Sequence, residues 1–241
     1  VLQTPSRRGR SEASVVVSDF FDFSIYVDAH PAELQLLHDD LLIHVTEFFR
    51  DPEAFVELKR IACEEWQPNR PGALLTVLSV ACSTGEEPYS IAMALFETLS
   101  PTAGFELIAS DIDSKVLAAA MRGMYRLESL KDMASERLQR FFMRGVGANE
   151  GMARIKSELR KAVNFMVINL MANDWPISPG VDVVFCRNVM IYFDAGTQRQ
   201  VLQKIHRVMK PGGLLFAGHS ESFANSCDLF RLRGKTVYER I

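Results

Sequence analysis

The chain has 241 residues, 48% of them hydrophobic and 24% charged, enough to bury one large core or one core with a small module. A net charge of −3 argues against a general nucleic-acid binder, and four cysteines without a CxxC pair give no structural zinc site and no other metal signal. No apolar run approaches the roughly 18 residues of a membrane span, so no membrane insertion is expected.

In chain order, residues 1–18 are rich in Ser and Arg and read as poorly ordered. Their apolar stretch, Val15–Val17, is too short for a signal peptide. The chain opens on Val1, which reads as a trimmed piece of a longer protein. Ser18–Tyr26 mixes aromatics with Asp and reads as a segment docked on its own protein. His30–Val45 has helical spacing, with Leu34, Leu37, Leu41 and Val45 on one face, and a second helix follows Pro52 with Phe55, Leu58, Ile61 and Ala62.

From Leu75 onward the pattern alternates. Strand Leu75–Ala81 precedes helix Pro88–Leu99; strand Phe105–Ser110 precedes helix Ser114–Arg122; strand Val181–Cys186 precedes helix Ala195–Met209, which Lys210-Pro211-Gly212-Gly213 stops. Strands Leu214–Ala217 and Thr236–Ile241 follow, joined without a crossover helix and therefore expected to pair antiparallel. Apolar strands between amphipathic helices predict an α/β fold with a parallel sheet covered on both faces. Arg140–Leu170 breaks the alternation. Its glycines and the strand candidates Met152–Ile155 and Val163–Ile168 predict a small antiparallel insert. Cys82 and Cys186 close apolar runs and read as reduced, buried thiols, as in a cytoplasmic protein.

Ligands of such sheets bind beyond the carboxyl ends of the strands. After the first strand come Ser83, Thr84, Gly85, Glu86 and Glu87, then Pro88 at the expected first helical position. One glycine and no Gly-Lys-Ser/Thr leave no pyrophosphate cradle. Two carboxylates repel phosphate and suit a cation, and S-adenosylmethionine carries a sulfonium and an ammonium; an ordinary turn with two solvated glutamates is the other reading. After the second strand, Asp111 is placed to accept ribose hydroxyls, with Asp113 or Ser114 left for the helix cap. After the third come Arg187, Asn188 and Tyr192. Arg187 either makes a surface ion pair or fixes a carboxylate of cofactor or substrate. His219–Ser222 lacks a GxSxG elbow and reads as a polar loop.

Seven segments carry a resemblance: TEFFRDPEAF (Thr46–Phe55), STGEEPYSIAMAL (Ser83–Leu95), ASDID (Ala109–Asp113), FMRGVGANEG (Phe142–Gly151), FCRNVMIYFD (Phe185–Asp194), KPGGLLFAGHSESF (Lys210–Phe223) and LRGKTVYER (Leu232–Arg240). From about Leu34 to the end the chain resembles the CheR-type chemotaxis receptor protein-glutamate O-methyltransferases. The resemblance implies a Rossmann-like class I methyltransferase domain over residues 71–241 with a β-subdomain insert at about 140–168, preceded by a helical part with linker (34–70) and a poorly ordered or truncated segment (1–33). It implies S-adenosylmethionine as methyl donor, S-adenosylhomocysteine as product, and glutamates of methyl-accepting chemoreceptor cytoplasmic domains as substrate.

Carried over by position, the resemblance makes Thr46 and Arg50 cofactor-pocket residues, with Arg50 reaching toward the methyl. It makes Glu86 and Asp111 binders of the methionine amino end and the ribose, Asn169 and Leu170 adenine-side residues, and Arg187 and Asn188 strand-end contacts. Tyr192 becomes a substrate-side residue, so that Arg50 and Tyr192 are the candidate catalytic pair. His44 stands where the family often has Asn, still able to hydrogen-bond. The family's several-helix N-terminal domain has room for only one or two helices before Thr46. In the family the β-subdomain recognises receptor C-terminal tails in some members; here it is either such a peptide edge or a flap over the site. A small-molecule methyltransferase and a non-enzymatic S-adenosylmethionine or S-adenosylhomocysteine sensor are the alternatives.

Overall fold

The computed structural model describes residues 46–69, 72–100, 103–223 and 226–241. The expected helix His30–Val45, the segment Ser18–Tyr26 and His44 lie outside them.

Helix α1 (Pro52–Arg60) starts on a proline, where the missing N–H has no intrahelical partner to lose. Glu53 in its first turn and Lys59 and Arg60 in its last complement the helix dipole. It runs on through a π-helical stretch, Ile61–Trp66, and a final turn, Gln67–Asn69. Then come β1 (Leu75–Val80), α2 (Glu86–Thr98), β2 (Phe105–Asp111), α3 (Ser114–Arg122), β3 (Met124–Arg126), α4 (Ser135–Phe141), β4 (Phe142–Arg144), β5 (Met152–Ile155), α5 (Ser157–Lys161) and β6 (Val163–Val167). The chain closes with β7 (Val181–Cys186), α6 (Ala195–Val208), β8 (Met209–Ala217), β9 (Phe230–Gly234) and β10 (Val237–Arg240).

Seven strands form one sheet in the order β6-β2-β1-β7-β8-β10-β9. All pair in parallel except β10, which is antiparallel to both β8 and β9. Alternate residues feed two opposite cores. Val77, Val183 and Phe185 face the side covered by α1 and α2, whereas Leu78, Val184 and Cys186 face Val201, Leu202 and Ile205 of α6. Phe185 and Phe216 stack with centroids 4.5 Å apart. The order reverses between β1 and β7, so the crevice beyond their carboxyl ends is the place for a ligand.

Four features differ from the sequence reading. Val163–Val167 is no part of the antiparallel insert; it pairs in parallel with β2, from Leu107 with Val163 to Asp111 with Val167. Its faces explain this: Phe165 packs on one core and Met166 on the other, which suits a strand of a sheet covered on both sides. The small antiparallel sheet is β3-β5-β4 and begins at Met124. A strand of three residues is too short to show alternation. Strand β9 escaped the sequence reading because Phe230 is its one buried residue. The Lys210–Gly213 turn bulges within β8: Val181 pairs with Met209 and Val183 with Leu214. Cys82 and Cys186 are free and buried.

Candidate functional site

The turn after β1 is strained and tightly tied. Ala81, Ser83 and Gly85 all have left-handed backbone, with φ of 53°, 49° and 97°. For a residue with a Cβ this costs about 1–2 kcal/mol, and bonds from neighbouring loops offset it. Cys82 N donates to Ser110 O (2.9 Å), Ser83 N to Asp111 Oδ2 (2.9 Å) and Gly85 N to Cys82 O (3.0 Å). At Gly85 a Cβ would stand 2.8 Å from Ala120 Cβ and 3.1 Å from the Tyr125 hydroxyl, so only glycine fits. Helix α2 therefore begins at Glu86, and Pro88 occupies its third position, not its first. That too is harmless, because the first four N–H groups of a helix lack intrahelical partners.

Asp111 knits three strand ends together. Its Oδ1 accepts from Asp113 N (3.0 Å), its Oδ2 from Ser83 N, and its backbone carbonyl from Ile168 N (3.0 Å). Each carboxylate oxygen keeps a second lone pair. Asp113 caps α3 by accepting from Lys115 N (2.7 Å). Glu86 is buried and accepts from Thr84 Oγ1 (2.7 Å). Burial pushes its carboxyl pKa up, with the Thr84 bond opposing.

Arg187 does not act as a free clamp. Its guanidinium is buried against the loop before α1: Nη2 donates to Asp51 Oδ2 (2.6 Å) and to the Arg50 carbonyl (2.7 Å), and Nη1 to Glu87 Oε2 (3.1 Å). It also lies 5.7 Å over the Phe55 ring. Glu87 accepts from Ser79 Oγ (2.8 Å) as well. Arg187 thus holds the Arg50 backbone, while its buried Nε has no hydrogen-bond partner among the described residues.

The Thr46–Arg50 loop is seated against α2. Phe49 N donates to Ser90 Oγ (2.9 Å), which donates to the Glu86 carbonyl (2.7 Å). Phe48 meets Tyr125 and Phe142 edge-on, with centroids at 4.8 and 5.7 Å. The Arg137 guanidinium lies 4.1 Å over the Phe49 ring and bonds Glu97 as well. Burial acts to raise the Glu97 carboxyl, yet hydrogen bonds from Arg137 and Lys59 outweigh it and hold the group at about 2. Thr46 and Arg50 are half-buried, and Arg50 follows Phe49, whose amide reaches Ser90 of α2.

Asn169 is exposed and turns the chain after β6, its Oδ1 accepting from Met171 N (2.8 Å). Leu170 is buried, and its carbonyl accepts from Lys204 Nζ (2.9 Å). Asn188 adopts left-handed backbone, and Tyr192 ends a 3₁₀ turn with 59% of its surface exposed.

Sequence reasoning missed Glu221. It is buried, and its carboxylate accepts four backbone N–H groups: Asn188 (3.0 Å), Val189 (3.0 Å), Met190 (2.8 Å) and Gly218 (2.7 Å). It fixes the turn that carries Asn188 and Tyr192. The one sequence signal was a lone carboxylate in a polar loop, 33 residues from its first partner. Neighbouring His219 lies 3.6 Å from Asp51 Oδ1 and 3.8 Å from Glu53 Oε2, with no nucleophile-and-base geometry.

Residues 44–239 match the family described as "CheR methyltransferase, SAM binding domain". The chain belongs to the CheR methyltransferase family. It is 44% identical over 234 residues to "Chemotaxis protein methyltransferase 2" of Pseudomonas aeruginosa, covering 97% of this chain and 82% of that one. It is 42% identical over 236 residues to "Chemotaxis protein methyltransferase" of Escherichia coli, covering 97% and 80%. "Chemotaxis protein methyltransferase" of Klebsiella aerogenes is 44% identical over 225 residues, covering 92% and 76%. No helix among the described residues is long and apolar enough to cross a membrane.

The CheR cofactor is S-adenosylmethionine, and the donor set at the β1 rim fits it. Glu86 is a buried carboxylate with its pKa raised and no cation in its hydrogen bonds, as a site for an ammonium requires. Asp111 has lone pairs left for hydroxyls. A cation beside Glu86 favours its ionised form. Affinity for S-adenosylhomocysteine, which keeps the ammonium, should therefore fall as pH drops through the raised Glu86 pKa. Calorimetric titration from about pH 8 down to about pH 5, across the range of a raised carboxyl, should show this loss in the wild type and a flatter profile in Glu86→Gln.

Proposed function

We propose that this protein transfers the methyl group of S-adenosylmethionine to glutamate side-chain carboxylates of methyl-accepting chemotaxis receptors, forming glutamyl methyl esters. The supporting observation is the seat of Arg50. Arg187 grips the Arg50 carbonyl, and the Phe49–Ser90 bond ties the same loop to the helix that Glu86 opens. A guanidinium-bearing residue is thereby fixed beside the donor turn, where an incoming carboxylate must arrive. The chemotaxis methyltransferase names of the relatives support the receptor as its source.

When bound, the cofactor supplies an electrophilic methyl on a sulfonium. A glutamate side chain is ionised at neutral pH, with an ordinary pKa of about 4.3. It needs no general base, and the residues of this rim need move no proton. Their task is alignment. Arg50 orients the acceptor carboxylate without gripping it so tightly that the ground state gains as much as the transition state. Glu86 and Asp111 hold the amino end and ribose; Thr46, Asn169, Leu170 and Asn188 line the rest of the cofactor site. Tyr192, on the exposed rim, offers its hydroxyl to the same acceptor. Tyr192→Phe should lower kcat about five- to ten-fold, the worth of one such bond, with S-adenosylhomocysteine affinity unchanged by calorimetry.

The partner is the receptor's cytoplasmic domain, so the reaction belongs to the cytoplasm. The outer edges of β3 and β4 pair with no strand among the described residues, and an extended receptor segment adding there is part of this reading. Incubation with methyl-labelled S-adenosylmethionine and receptor-containing membranes should place base-labile label on the receptor. Label confined to a small molecule would replace this reading with a small-molecule methyltransferase.

A further inference from the structure

We infer that Tyr125, on the small sheet, is a positioning residue that sets the donor turn and the Arg50 loop together, an inference that rests on the rim being the cofactor site. Tyr125 is the central residue of β3, paired with Ala153 of β5, and is buried. Its two ends touch different parts of the site. The hydroxyl donates to the Thr84 carbonyl at 2.7 Å, inside the turn that leads into Glu86. The ring meets Phe48, two residues before Arg50, edge-on at 4.8 Å.

Thr84 is the intermediary on the donor side. Its carbonyl accepts from Tyr125 while its hydroxyl donates to the Glu86 carboxylate. The Tyr125 hydroxyl also stands where a Cβ on residue 85 would come within 3.1 Å, so it packs directly against the glycine that opens α2. Burial, and then the nearby Glu86 charge, push the phenol pKa upward, so the group remains a proton donor to Thr84 at all working pH values. On the acceptor side, Phe142 of β4 closes on Phe48 from the same small sheet. The small sheet is therefore a wall of the donor site as well as an appendage of the fold.

The two contacts separate by substitution. Tyr125→Phe keeps the ring against Phe48 and removes only the bond to Thr84; Tyr125→Leu removes both. Tyr89→Phe is the control: Tyr89 is also buried, and its hydroxyl donates to Ala120 O of α3 at 2.8 Å and not to the Thr84 carbonyl. Tyr125→Phe should weaken S-adenosylhomocysteine binding about five-fold or more, the weight of one buried hydrogen bond. It should raise KM for the donor and leave kcat at saturating donor within about two-fold. Tyr125→Leu should lower kcat as well. Tyr89→Phe should lose thermal stability like Tyr125→Phe yet bind S-adenosylhomocysteine as the wild type does. Wild-type affinity in Tyr125→Phe overturns the inference, as does equal weakening in Tyr89→Phe, which would mean general loosening. A wild type that binds no S-adenosylhomocysteine removes the cofactor-site reading itself, and this inference with it.

Discussion

Arg50→Ala should cut receptor methylation by about 100-fold or more, while the melting temperature stays close to wild type. The reaction needs no proton transfer, so what the protein contributes is the placing of two groups. Misplacement by about 1 Å at a reacting centre is enough to cost on the order of 100-fold. The structure invests heavily in the position of this residue. Phe49 and Asp51, its neighbours on either side, both have left-handed backbone, with φ of 54° and 53°. Its carbonyl is held by Arg187 and the preceding amide by Ser90. Such strain persists only where surrounding contacts over-determine it. Arg50→Lys should recover part of the loss, because the charge returns but not the planar fork that matches a carboxylate. Filter-binding kinetics with labelled donor and receptor membranes measures both variants; unchanged methylation by Arg50→Ala would remove Arg50 from the chemistry.

Arg187→Ala should destabilise the fold by about 3 kcal/mol, the low end for a broken buried pair. The guanidinium compensates two carboxylates, Asp51 and Glu87, whose side chains are 26% and 17% exposed. Removing it leaves both carboxylates without their cation, and partial solvent access keeps the cost from being larger. Activity should fall with stability, since the Arg50 carbonyl loses its donor. Arg187→Lys should be intermediate, because an ammonium serves as a point charge and cannot span three acceptors in one plane. Urea denaturation gives the stability term. Single-turnover methylation under conditions where each variant is folded gives the positional one. A fully active, stable Arg187→Ala protein would show that the Asp51 and Glu87 contacts are incidental.

The fold was legible where the pattern is local. Ser114–Arg122 was read with its observed bounds because Asp113 caps its start and Gly123, at φ 60°, ends it. The strands β1, β2 and β7 announced themselves as apolar runs because both of their faces are covered. Elements with weak local signals escaped. β3 has three residues and β9 has one buried residue; Val163–Ile168 is legible as a strand, but its parallel pairing with β2 is not, because β6 lies on the edge, where its two-sided packing is partial. The start of α2 moved two residues because Gly85 turns the chain earlier than Pro88 suggests.

The candidate site divides in the same way. Glu86 and Asp111 follow directly from their places after β1 and β2. What Arg187, Glu221 and Tyr125 do depends on partners distant in the chain: Arg187 meets residues 100 to 137 positions away, and Tyr125 meets Thr84 across 41. Sequence position shows an Arg at a strand end. It does not show that Asp51, Glu87 and the Arg50 carbonyl will already engage both of its Nη groups.

Co-crystallisation with S-adenosylhomocysteine tests the central claim most directly. The account predicts the ligand in the crevice beyond β1 and β2, its ammonium within hydrogen-bond distance of Glu86, its ribose hydroxyls on Asp111, and its sulfur facing the Arg50 loop. Density for the ligand at any other place on the sheet, with Glu86 and Asp111 untouched, would contradict it.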